Sequence, residues 1–158
     1  MTVGLFVPCY IDQFYPDVAI ATLELLEGQG TDVHFPSSQT CCGQPMANSG
    51  CASDTAPLAR RLLELFAPYD YVVAPSGSCV AMVKHHYDRH LAGTPGFDSL
   101  KSRTFELCEF LTDVLGVDSV KAHFPHSVGL HESCHGLREL RTGQSSELAG
   151  TSFSKARN

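Results

Sequence analysis

The chain of 158 residues has the length of one ordinary domain, with 43% apolar and 18% charged residues. Those values exclude a disordered or collagen-like chain, and a domain of this size buries roughly 70% of its unfolded surface without disulfide staples. The net charge of −6, from 11 basic and 17 acidic residues, argues against a nucleic-acid partner bound through phosphate neutralisation.

Val3 to Val7 is a short apolar run with β-branched residues and reads as a buried parallel strand ending at Pro8-Cys9. Asp17 to Glu27 carries Val18, Ala21, Leu25 and Leu26 at helical spacing, with Pro16 suited to its first turn and Gly28 and Gly30 to its end. Thr31 to Phe35 is predicted as a second strand. Pro36 to Gly50 is a loop rich in Ser, Gly and Pro that holds Cys41-Cys42-Gly43. Ser53 or Asp54 caps a helix through about Phe66, with Leu58, Leu62, Leu65 and Phe66 on one face. Tyr69 to Ala74 is a third strand, and Pro75-Ser76-Gly77-Ser78-Cys79 turns into a helix from Cys79 to His90. Leu91 to Ser102 reads as a polar loop, Cys108 to Leu115 as a helix and Val128 to His131 as one more strand. Strands alternating with helices predict an α/β fold with a mostly parallel sheet.

No stretch approaches the roughly eighteen apolar residues of a membrane span, so none is expected. The N-terminus lacks the basic and long apolar regions of a signal peptide, which predicts a reducing, cytoplasmic location. In that setting the seven cysteines (Cys9, Cys41, Cys42, Cys51, Cys79, Cys108 and Cys134) read as ligands or reactive groups rather than disulfides. Cys9, Cys41, Cys42 and Cys79 all follow predicted strands. Open parallel sheets bind ligands outside the carboxyl ends of their strands, so four thiols from three segments are expected to converge at one edge. Cys79 also opens a helix, where the dipole favours thiolate.

Val3-Gly4-Leu5-Phe6-Val7-Pro8-Cys9 and Val128-Gly129-Leu130-His131-Glu132-Ser133-Cys134 agree at four of seven positions, 125 residues apart. Each is a predicted strand followed by Cys, which suggests that a second copy of the unit begins near 128. Thirty-one residues separate Cys9 from Cys41; the same spacing from Cys134 reaches position 166, beyond Asn158, so the second copy is expected to be incomplete. The Thr142 to Asn158 tail is polar and Ser-rich, and is expected to be poorly ordered.

The series Cys9, Cys41-Cys42-Gly43, Cys79-Val80-Ala81-Met82 closely resembles the CCG, or cysteine-rich domain, family of iron-sulfur proteins. The segments Thr40-Cys41-Cys42-Gly43-Gln44-Pro45, Pro75-Ser76-Gly77-Ser78-Cys79 and His131 to Leu140 look most like the branch of lactate utilization A proteins and the glycolate oxidase iron-sulfur subunit. The cysteine-rich chain of heterodisulfide reductase is a more distant relative. The resemblance implies a Rossmann-like three-layer α/β arrangement, with one complete unit over 1–125 and the start of a second over 126–158. It also implies that Cys9, Cys41, Cys42 and Cys79 hold an iron-sulfur cluster, [4Fe-4S] first, in an electron-transfer subunit of an L-lactate or glycolate oxidising complex. Partners would be the other subunits of that complex, and the strand edge of an incomplete repeat also invites a homodimer. Where the heterodisulfide reductase branch has a fifth cysteine, this chain has Met82, a far weaker ligand. Four thiolates suit an ordinary cluster or tetrahedral Zn2+, so a zinc-binding structural or docking module is the alternative, and heterodisulfide-type thiol chemistry a third.

The other cysteines and the histidines have plainer readings. Cys51 reads as a small packing residue, Cys108 as part of an apolar helix face, and Cys134 as a ligand position without its partners. His131-Glu132-Ser133-Cys134-His135 spells a zinc-protease motif, which needs one continuous helix and is not expected to form one before Gly136. His85, His86 and His90 read as a solvated helix face. Cys41 and Cys42 as a redox pair remains an alternative to their role as ligands.

Overall fold

The computed structural model describes residues 1–144 and 153–155. Four strands, β1 (Thr2–Leu5), β2 (Asp32–His34), β3 (Tyr71–Ala74) and β4 (Thr104–Glu106), form one sheet in the order β2-β1-β3-β4. All three pairings are parallel, with Val3 opposite Val33 and Tyr71, and Val73 opposite Phe105. The helices between them are α1 (Cys9–Phe14), α2 (Pro16–Gly28), α3 (Gln44–Asn48), α4 (Ala52–Phe66), α5 (Gly77–Ala81), α6 (Asp88–Leu91), α7 (Phe97–Ser102) and α8 (Leu107–Glu109). Wide π-helical turns over Met82–His86 and Phe110–Val114 continue α5 and α8, and a third, Gly136–Leu140, stands alone near the carboxyl end.

Strand side chains alternate between faces, and both faces are covered. Phe6, Val72 and Ala74 meet Leu62, Leu63 and Phe66 of α4 and Val80 of α5. Val3, Leu5 and Val73 meet Leu26 of α2 and Phe110 and Leu111 beyond α8. Each Val, Leu or Phe among them, fully buried, contributes about 1.5–3 kcal/mol. The arrangement is α/β and Rossmann-like. From β1 the chain goes first to β2 on one side and then to β3 on the other. The β1/β3 boundary is therefore the switch point at which doubly wound sheets bind ligands.

Several expectations change. Beyond the strand end at Pro8, a segment given no element in the sequence, Cys9 opens α1, so the thiol sits on a helical turn. Leu91 to Ser102 contains α7, because Phe97 and Leu100, three apart on one helix face, are both buried. The following Thr104–Glu106 supplies a strand too short for a periodic signal. The strand expected at Val128–His131 does not form: among the described residues these pair with no strand, and Val128 and Leu130 are exposed. The outer position beside β3 is held by β4. In the polar tail, Gly143–Gln144 pairs antiparallel with Phe153–Ser154, while the expectation of disorder for 145–152 and 156–158 lies outside the described residues. Among the described residues no helix is long and apolar enough to cross a membrane.

Gly4 shows how tightly α4 closes on the sheet. A Cβ at this position would lie 2.6 Å from Tyr69 Cδ2 and 2.7 Å from Phe66 Cδ1. Phe66 is fully buried and its ring also packs edge-on against Phe6, 5.7 Å between centroids, so it has little room to retreat. Gly4→Ala is expected to cost about 1–3 kcal/mol by overpacking. That should lower the thermal midpoint by roughly 2–4 °C for each kcal/mol. An unchanged melting curve would show that the rings shift freely.

Candidate metal centre

The carboxyl edge of the sheet collects four thiols. Cys9 follows β1 on the first turn of α1, Cys41 and Cys42 end the loop after β2, and Cys79 lies in α5 after β3. They stand as two pairs: Cys9 Sγ to Cys41 Sγ is 3.4 Å and Cys42 Sγ to Cys79 Sγ is 3.3 Å. Cys42 and Cys79 are buried, and Cys9 and Cys41 half-buried. Among the described residues, no three His, Cys, Asp or Glu side chains are gathered as a ready-made ion cage. The set nonetheless suits a soft metal by donor chemistry, because it offers four sulfurs at one edge and no carboxylate among them.

Local structure explains the placement. Gly43 has φ +84°, and a Cβ there would meet Thr55 Cγ2 at 2.7 Å. Only glycine suits this left-handed position against α4. The Thr55 hydroxyl donates to the Gly43 carbonyl at 3.2 Å and the Tyr87 phenol donates to the Cys42 carbonyl at 2.8 Å. The Gly43 N–H lies 3.4 Å from Cys41 Sγ and donates to it. The loop's other end is held by Gln39, whose carbonyl oxygen accepts from Val7 N–H at 2.7 Å and whose amide donates to the Leu5 carbonyl at 3.1 Å. Ser76 is the N-cap of α5, and its Oγ accepts from Cys79 N–H at 3.5 Å.

The buried pair divides its protons. In the buried pair Cys42 keeps its proton: its thiol is pushed far up, first by the hydrogen bond to Cys79 and then by burial. Cys79 is lowered to about 7, first by accepting from Cys42 and then, against the opposing effect of burial, by the Ser76 and Ser78 hydroxyls. The helix position matters here chiefly through its cap, since Ser76 and Ser78 supply donors to the sulfur. Cys9 is raised to about 11, by burial first and by its bond to Cys41 second. Burial holds the Tyr87 phenol well above its ordinary value, with the nearby thiols adding to the shift.

The four cysteines singled out in the sequence thus stand at one edge as two close pairs, and the other three stand apart from them. Cys51 is exposed at the entry to α4, so it is no packing residue. Cys108 is half-buried and raised to about 12, chiefly by burial. Cys134 is exposed. Met82, one helical turn beyond Cys79, is 2% exposed in the same core cluster as Cys42 and Cys79. His131 lies outside the helix that begins after Ser133, which has φ +58°, so the protease-like letters share no helix face. His86 is not simply solvated: its Nε2 is 2.9 Å from Glu139 Oε2. Tyr87, Thr55 and Gln39 were not legible as site residues. Only Ser76, three places before Cys79, carried a cap signal. A cleft of about 670 Å3 beside Leu63, Tyr69 and Arg103 contains no cysteine.

A doubly wound α/β sheet with four cysteines at its carboxyl edge defines a cysteine-rich α/β protein. The cysteine-rich (CCG) domain family matches residues 3–84, and the chain belongs to that family. It is similar to lactate utilization protein A of Halalkalibacterium halodurans, 46% identical over 149 residues, covering 92% of this chain and 61% of that protein. The protein of the same name from Geobacillus thermodenitrificans is 46% identical over 144 residues, covering 89% of this chain and 60% of the relative. That from Bacillus subtilis is 42% identical over 143 residues, with 89% and 60% covered. The chain therefore spans about three-fifths of the length of these relatives. No solved structure matches it.

Gly43 and Gly50 permit a matched test. Both have φ +84°, but a Cβ at Gly50 meets nothing within 4 Å. Gly50→Ala is expected to cost about 1–2 kcal/mol of left-handed strain. Gly43→Ala should lose a further 1–3 kcal/mol or so by overpacking Thr55. Urea unfolding of the two variants checks this, and equal losses would show that Thr55 gives way.

Proposed function

We propose that Cys9, Cys41, Cys42 and Cys79 hold an iron-sulfur cluster, [4Fe-4S] in the first instance, and that the chain is an electron-transfer subunit in the oxidation of L-lactate or glycolate. The observation that supports this reading is two close thiol pairs, from three separate crossovers, at the carboxyl edge of the sheet. The name of the relatives, lactate utilization protein A, supports the substrate class. A bound cluster would supply one-electron exchange. The chain's own residues bind and tune: the Gly43 N–H donates to Cys41 Sγ, and donors to ligand sulfurs are one lever on cluster potential. Tyr87 and Thr55 fix the carbonyls of Cys42 and Gly43, so the two neighbouring thiols keep their directions. No acid-base residue is required of such a subunit, and its partners are the other subunits of the oxidising complex. Half-buried Cys9 sits beside exposed Tyr10 and Phe14, which suits electron exchange at the protein surface. Residues 1–125 are read as the first cysteine-rich unit and 126–158 as the opening of a second.

A second reading has one observation in its favour. Tetrahedral zinc with bonds of about 2.3 Å separates its sulfurs by roughly 3.8 Å. Two of the six separations such a site needs, the pairs at 3.4 and 3.3 Å, are about 0.4 Å shorter than that. Zinc on the same thiolates would make the chain a structural or docking module.

Metal and acid-labile sulfide analysis of anaerobically purified chain separates the two. Iron with sulfide and a visible absorption band supports the electron carrier; colourless protein with zinc supports the module and overturns it. Cys42→Ala and Cys79→Ala are expected to abolish loading, whereas Cys51→Ala should leave it unchanged. The reverse pattern would overturn the ligand set. Met82→Cys adds a thiol one turn from Cys79 and is expected to raise iron loading.

A further inference from the structure

The Cys-Cys dipeptide divides its thiols between two partners. Cys41 takes Cys9, 32 positions away, and Cys42 takes Cys79, 37 positions away. A disulfide needs a sulfur separation of about 2.0 Å. At 3.4 and 3.3 Å each pair is therefore a modest side-chain movement from a covalent link. We propose that, when the metal leaves, this site closes into two specific disulfides, Cys9–Cys41 and Cys42–Cys79, and not into a link between the neighbours Cys41 and Cys42. The inference concerns the same thiols as the proposed ligand set, but it does not depend on which metal they hold.

The chemistry balances with an external oxidant. With a low-molecular-weight disulfide such as oxidised glutathione, one thiolate of a pair attacks a glutathione sulfur, forming a mixed disulfide and releasing one reduced glutathione. The partner thiol, losing its proton, then attacks the protein sulfur and releases the second, so two thiols are oxidised and one disulfide is reduced. With hydrogen peroxide, one thiol becomes a sulfenic acid with loss of water, and the partner displaces a second water. Access sets the order. Cys9 and Cys41 are half-buried and reachable by a bulky disulfide, whereas Cys42 and Cys79 are 2% and 4% exposed. Only a small oxidant reaches the inner pair. Each link also closes a long loop in the unfolded chain, so the oxidised metal-free protein is expected to melt at a higher temperature than the reduced one.

The test takes the full chain, purified anaerobically and assayed for metal. It is then stripped by a chelator under reductant, and a parallel sample is left to lose its metal in air. The stripped chain is exposed to oxidised glutathione or to hydrogen peroxide, and unreduced peptides are mapped by mass spectrometry. Glutathione is expected to give the Cys9–Cys41 link with Cys42 and Cys79 still reduced. Peroxide should give both links, a loss of about 4 Da in all. Exposed Cys51 and Cys134 report that the reagents acted. Cys9→Ala should keep the Cys42–Cys79 link under peroxide and leave Cys41 outside it. A Cys41–Cys42 link in either protein, links to Cys51 or Cys134, or four reduced thiols after Cys51 has reacted would overturn the proposal. Failure of the metal reading appears separately, as no metal in the protein before stripping.

Discussion

Two adjacent residues must send their side chains to different partners, and the rest of the site depends on that constraint. Neighbouring side chains on an extended backbone point to opposite sides, so a Cys-Cys dipeptide can join two groups only if its backbone is held still. Here the two carbonyls that follow the thiols are each tied down, Cys42 by Tyr87 from beyond α5 and Gly43 by Thr55 from α4. Gly43 then turns the chain away through a left-handed residue pressed against Thr55. The helices that cover one face of the sheet therefore also aim the thiols, and core packing and site geometry are one set of contacts.

That placement has an electrostatic consequence. Four thiols gathered at one edge resist ionising together, because each thiolate raises the cost of the next and burial raises it further. The inner pair resolves this by proton sharing, with Cys42 as donor and Cys79 as acceptor, and the Ser76 and Ser78 hydroxyls stabilise the charge that remains. In the outer pair Cys9 is raised to about 11, by burial first and then by its bond to Cys41. A thiophilic cation removes the conflict, since it replaces the protons and compensates several thiolates at once. Metal binding at such a site releases protons, and protons compete with it. Affinity is therefore expected to rise with pH while the protonated thiols are being displaced.

Much of this was legible in the sequence, for identifiable reasons. β1, β3, α2 and α4 carry dense apolar runs at strand or helix spacing, and their side chains form the two core clusters. The four thiols were legible because each follows a strand of a parallel sheet, and such sheets place those positions side by side. What was missed depends on tertiary contact. Thr104–Glu106 is three residues with a charge at one end, and it becomes a strand only because β3 offers it an edge. Tyr87 sits beyond the predicted ligands on a helix and matters only once the Cys42 carbonyl lies 2.8 Å from its phenol. Cys51 looked like a packing residue beside the loop, yet its side chain faces solvent at the start of α4.

The repeat teaches the sharper lesson. Val3-Gly4-Leu5 and Val128-Gly129-Leu130 are identical, yet the first is the centre of a sheet and the second forms no strand among the described residues. The first copy is a strand because β2 and β3 flank it, and because Phe66 and Tyr69 close over Gly4. Among the described residues Val128-Gly129-Leu130 has no strand beside it, and Val128 remains 75% exposed. Just beyond it the chain does dock: the Gly136–Leu140 turn lies against α5, where a Cβ on Gly77 would sit 3.5 Å from Gly136 Cα, and Glu139 reaches His86. A strand motif states a demand for hydrogen-bonding neighbours, because an isolated strand satisfies none of its own backbone groups. The contact at Gly77 and His86 anchors the segment after Cys134 beside α5.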